Sequence, residues 1–87
     1  MRRIDREQAR QIVEAGQVMP RDELERIAAA RHPARKDVLG FEYGEDESAP
    51  GRYRFAVEVE DAAGVVWWIE LNAHTGEVLE EDSSANR

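Results

Sequence analysis

The chain has 87 residues and no cysteine, so it forms one small domain that buries roughly 60–65% of its unfolded surface, with little room for a deep active-site cleft and no disulfide, thiolate metal site or cysteine nucleophile. Its formal net charge of −7 is uneven, +3 over residues 1–36 and −10 over residues 37–87, and the acidic second half disfavours nucleic acid and anionic lipid as partners. The longest apolar run, Val65 to Ile69, is far too short to span a bilayer, and the charged start MRRIDRE lacks the apolar stretch of a secretion signal, so no membrane insertion is expected.

Two helices come first. Asp5 followed three residues later by Gln8 resembles a capping box, with Ile4 placed to fold back on Ala9 as a hydrophobic staple. Ala9, Ile12 and Val13 then form one apolar stripe, and Gly16 supplies the left-handed residue that ends the helix. Pro20 suits the first turn of a second helix, where Asp22 and Glu23 complement the positive N-terminal dipole. Leu24, Ile27, Ala28 and Arg31 share a face of it, and Pro33 closes it. Arginines interleave with acids at helical spacing, as in Arg6, Arg10 and Glu14 or Asp22 and Arg26. That is the pattern of a salt-bridged, solvated surface rather than of a nucleic-acid face. Both apolar stripes are narrow and rich in alanine, which predicts helices lying on something flat.

The flat partner follows in the sequence. In GRYRFAVEVED, Tyr53, Phe55, Val57 and Val59 alternate with Arg54, Ala56, Glu58 and Glu60, the period of a half-buried strand. Val65, Trp67, Ile69 and Leu71 keep the same parity in the next strand, and Ala62-Ala63-Gly64 fits a three-residue hairpin loop with glycine in the left-handed position. With Asp61 and Val65 as the closing pair, Val59 faces Trp67, Val57 faces Ile69 and Phe55 faces Leu71 on the core side, while Trp68 faces Glu58 on the other. A shorter strand around Leu39 to Tyr43 is expected before this hairpin, and another around Glu77 to Leu79 after the turn Asn72-Ala73-His74-Thr75-Gly76. The stretch GEDESAPG reads as a flexible acidic loop. An ordered core from about 4 to 81 and a flexible tail over 82–87 complete the single domain.

The ending WWIELNAHTGEVLEE resembles the closing motif of PepSY domains: an antiparallel strand, an acidic residue, a small residue, a Thr-Gly-Glu turn and a short aliphatic strand. The front half, QARQIVEAGQVMPRDELERIAAARHP, is similar to that of small bacterial PepSY proteins, with a helix, an Ala-Gly break, a helix started by proline and a proline stop. The resemblance runs from about Asp5 to Glu81. Asn72 stands where the family usually has Asp, and residues 44–51 lengthen the first hairpin. What the resemblance implies is a non-catalytic module, periplasmic or secreted, that restrains or modulates peptidases or binds another envelope protein.

Candidates for chemistry are sparse. His32 ends a helix beside Pro33 and His74 sits in a turn, while the hydroxyls are Ser48, Thr75, Ser83 and Ser84. No Ser/His/Asp constellation assembles from these, so no enzyme is expected. Two lone histidines do not make a zinc site, and Glu45-Asp46-Glu47 lacks the alternating ligands and turn glycine of an EF-hand loop, so no metal and no cofactor are expected.

The outer sheet face is the remaining candidate. Val66 and Trp68 lie beside Ala56 among Glu58, Glu60, Glu70 and Arg54, an apolar centre in a charged rim of the kind that interaction sites use. Trp68, Val66, Glu58, Arg54 and Glu70 are therefore the candidate partner-binding residues. The competing reading has the chain's own terminus, or the stems of Arg54 and its neighbours, cover the indole. Self-association as a weak homodimer, through Trp68 or an exposed edge strand, is a third. The expected architecture is α+β, with two N-terminal helices packed on one face of a four-stranded antiparallel sheet. Its expected function is protein binding, as modulation of a peptidase or another envelope partner. The competing class is a sensory module responding to a ligand or metal ion through the acidic half.

Overall fold

The computed structural model describes residues 1–32 and 37–83. Helix α1 spans Arg6–Glu14, and the Asp5 side chain caps it by accepting the Gln8 amide at 2.7 Å. Its end is a Schellman motif: Gly16, at φ +72°, donates to the Val13 carbonyl and Gln17 donates to that of Ile12, both at 3.0 Å. Helix α2 spans Arg21–Arg31. Pro20 is its N-cap rather than a first-turn residue and makes no side-chain capping bond, its carbonyl accepting the Leu24 amide. Pro33 lies outside the described residues. The ion pairs that form on the helices are Glu7–Arg10–Glu14 and Arg21–Glu25.

Among the described residues the sheet has five strands, not four, in the order β1-β2-β3-β4-β5, all neighbours antiparallel. The additional strand is β1, Arg2–Arg3, which pairs with Glu45 and Gly44. Two adjacent arginines carry no apolar alternation, so no local pattern marks them as a strand. Pairing is set instead by the next residue: Ile4 is 6% exposed, and its amide donates to the Tyr43 carbonyl at 3.1 Å. Strand β2 covers Asp37–Glu45, with a bulge between Val38 and Gly40. Strands β3 (Tyr53–Glu60) and β4 (Val66–Asn72) pair in the expected register, Val59 opposite Trp67, Val57 opposite Ile69, Phe55 opposite Leu71 and Glu58 opposite Trp68. The turn between them closes with the Asp61 amide on the Val65 carbonyl, and Gly64 takes φ +83°. Strand β5 runs Val78–Ser83, longer than its short aliphatic run suggests.

Residues 46–52 form a hydrogen-bonded connection rather than a flexible acidic loop. Asp46 accepts from the Ser48 amide and hydroxyl, and Glu45 accepts from the Gly51 amide. The backbone of Asp46 bonds that of Arg52 at 2.9 Å. Glu45 and Asp46 thus make local turn bonds.

Alternation along β3 and β4 divides the sheet into two faces. On one, Phe55, Val57, Val59, Ile69 and Leu71 form a single cluster with Ile12 of α1 and with Leu24 and Ala28 of α2. Phe55, Leu24, Ile69 and Leu71 are fully buried there. Among the described residues, the other face bears no helix.

Candidate functional site

On the face opposite the helices, register places residues in rows across the strands. One row is Gly40, Glu58, Trp68, Asp82; the next is Glu42, Ala56, Glu70, Glu80; Glu60 and Val66 pair beyond Trp68. The five candidate residues therefore share one face, because Arg54, Glu58, Val66, Trp68 and Glu70 have the same strand parity. Trp68 and Val66 are partly buried and Glu70 is 8% exposed.

The Trp68 indole N–H donates to Glu70 Oε2 at 2.8 Å. Arg54 reaches Glu70 Oε1 at 3.4 Å and Asp46 at 3.7 Å. Burial works to raise the Glu70 pKa, but the Trp68 N–H, Glu80 and Arg54 together hold it below the usual carboxylate range. Glu80, directly opposite Glu70, is pushed up by the hydrogen bond and charge of that same carboxylate. Arg3 pairs with Glu42 at 3.2 Å, whereas among the described residues no ion pair reaches Glu58, Glu60 or Asp82. A shallow groove of about 240 Å³ beside Trp68 is lined by Arg3, Gly40, Phe41, Glu42, Glu58 and Trp68.

The neighbouring tryptophan is placed differently. Trp67 packs at the margin of the helix-side core, its ring 4.5 Å from that of His32 and its N–H on Asp61 Oδ2 at 2.9 Å. His32 Nε2 meets Glu81 at 2.5 Å, and Arg31 meets the same carboxylate at 2.9 Å. These contacts fasten the end of α2 to β5, a join that sequence spacing does not reveal.

His74 is exposed in its turn, with both ring nitrogens facing backbone groups. Its Nε2 accepts the Tyr53 amide at 2.9 Å, and its Nδ1 lies 2.7 Å from the Gln17 carbonyl, so a neutral ring protonated at Nδ1 satisfies both. Both nitrogens are thereby committed to the backbone. Asn72 braces the turn, its Oδ1 accepting the His74 amide at 2.8 Å and the Thr75 amide at 3.3 Å. Behind the turn Gly76, at φ +81°, is packed so closely that a Cβ would lie 2.5 Å from Ile27 Cδ1. Among the described residues no cluster of three or more His, Asp or Glu is arranged to hold a metal ion, and no helix is long and apolar enough to cross a membrane.

Searches among curated proteins and among solved structures returned no match. The family model described as "Peptidase propeptide and YPEB domain", PepSY, matches residues 18–82. That stretch holds α2, strands β2 to β4 and all but the last residue of β5, while β1 and α1 precede it. With most of the chain inside the match, the protein belongs to the PepSY family.

Proposed function

We propose that this chain is a non-catalytic protein-binding module that restrains or modulates a peptidase in trans, and that its partner docks on the sheet face around Trp68. One observation carries the reading: a tryptophan and a valine stand among carboxylates on the face opposite the helices. An aromatic centre inside a polar rim is how interaction surfaces concentrate their binding energy. Glu70 and Arg54 orient that centre, since Glu70 holds the indole N–H and Arg54 holds Glu70. The family's description as a peptidase propeptide domain favours a peptidase as the partner class. An envelope or secreted location follows from the same association.

A non-catalytic role is favoured by the histidines. Among the described residues, His32 is engaged by Glu81 and Trp67, and His74 by two backbone groups, so neither stands beside a hydroxyl as a general base would. The test is inhibition of peptidases secreted by the source organism, with wild-type protein and with Trp68→Thr. The wild type should slow one of them, and the variant should lose that effect while melting near the wild-type temperature. Equal inhibition by both would place the contact elsewhere. Melting with calcium or zinc separates an ion-responsive module, since an ion that binds the native state raises the midpoint by mass action; no shift is expected.

A further inference from the structure

The groove beside Trp68 has a property that the rest of the face lacks. Its floor is Gly40, directly opposite Glu58, and an added Cβ there would meet nothing within 4 Å. Missing side-chain bulk at Gly40 is therefore what opens the slot between Glu42 and Glu58, with Trp68 as a wall. Gly40 needs no left-handed backbone, since the glycines at positive φ are 16, 51, 64 and 76. Conformation does not call for glycine at this position; the open space beside Glu58 does.

Charge around the slot is one-sided. Among the described residues, Glu42, Glu58, Glu60, Glu70, Glu80 and Asp82 stand on this face against Arg3 and Arg54. Arg3 is occupied by Glu42 and Arg54 by Glu70 and Asp46. Glu70 and Glu80 face each other directly, a like-charge pairing that sheets avoid. An indole wall beside a carboxylate that no ion pair reaches among the described residues suits one kind of side chain, a cation on a slim apolar stem. It gains Coulomb energy from Glu58 and attraction from the aromatic wall.

We infer that the slot over Gly40 receives an arginine or lysine side chain from a basic segment of the protein partner, held between Glu58 and Trp68. This rests on the sheet-face reading above and adds the chemistry of the partner.

The test uses the full chain, labelled with ¹⁵N, and four acetylated octapeptides of glycine and serine carrying two central arginines, lysines, norleucines or glutamates. The arginine and lysine peptides should move the Gly40 amide and the Trp68 indole signals saturably, leaving the Trp67 indole unmoved. Affinity should drop at least several-fold in Glu58→Gln and rise in Arg3→Ala, which removes a competing cation. Gly40→Val fills the slot in a conformation valine adopts readily, and it should abolish the shifts with the spectrum otherwise folded. Equal binding of the norleucine peptide, or of arginine by Glu58→Gln, would overturn the cationic assignment while leaving the sheet face as a docking site. Shifts spread over the acids at 45–47 and 80–82 but absent at Gly40 would overturn the slot. Failure of the broader reading is separate, and shows as peptidase inhibition that Trp68→Thr leaves intact.

Discussion

Trp67 and Trp68 are adjacent in sequence, both partly buried, and each donates its indole N–H to a carboxylate, yet they belong to opposite sides of the sheet. Trp67 leans on His32 at the end of α2 and extends the hydrophobic core. Trp68 stands between Glu58 and Asp82. Exposure alone does not separate them; their neighbours do. One ring completes packing, and the other is a large apolar group among predominantly acidic side chains, which packing by itself does not require.

The strongest way to break this contrast is to remove the core on the helix side. Phe55→Ala, at a fully buried position ringed by Tyr43 and Phe41, should cost about 3–5 kcal/mol in urea titration. That is a large share of the roughly 5–15 kcal/mol available to a domain. A loss under about 1 kcal/mol would show that this layer is not the core.

Trp67→Ala comes next. Full burial would put its cost in the same range as Phe55, but a ring at the core margin loses less, and about 2–3 kcal/mol is expected, including the bond to Asp61. Trp68→Thr should cost less, about 1 kcal/mol, since threonine keeps strand propensity although the N–H bond to Glu70 is lost. Comparable losses in the two variants would mean that both rings serve the fold.

Register decides which side each ring takes, and Gly64 sets the register. At φ +83°, a β-branched residue is strained although space is open around it. Gly64→Val should therefore cost roughly 1–2 kcal/mol. A neutral result would sink the three-residue turn as the determinant of the pairing.

The smallest effects are in acid. Hydrogen bonding from Trp67 holds Asp61 below the ordinary carboxylate range, and Arg31 and His32 hold Glu81 there, against the upward pull of its burial. Stability from such depressed groups is complete above about pH 4 and is lost as pH falls through their folded values. Glu80 has the opposite sign: its carboxyl is raised by Glu70, so its charge disfavours the fold at neutral pH and the penalty disappears as pH falls. Denaturant midpoints across pH should show Glu80→Gln at least as stable as wild type at neutral pH, with any advantage fading toward pH about 4. Asp61→Asn should be the less stable at neutral pH, its deficit shrinking in acid. A pH-independent difference for either variant would remove its carboxylate charge from the account.

Much of the fold was legible in the sequence because the signals are local. Asp5 with Gln8 starts α1, Gly16 ends it, and alternation on both sides of Ala62-Ala63-Gly64 sets the β3–β4 pairing and hence the shared face of Trp68, Val66, Glu58, Arg54 and Glu70. Tertiary structure decided the rest, because the deciding contacts join residues far apart in the chain. Arg2 and Arg3 become a strand only where Ile4 is drawn into the core beside Tyr43. His74 becomes a pin only when Gln17, 57 residues away, and Tyr53, 21 away, converge on its ring. Gly40 marks a slot only when three strands align to put Glu42, Glu58 and Trp68 around the space it leaves. A local pattern records what each residue prefers, but a slot exists only between residues that the folded backbone brings together.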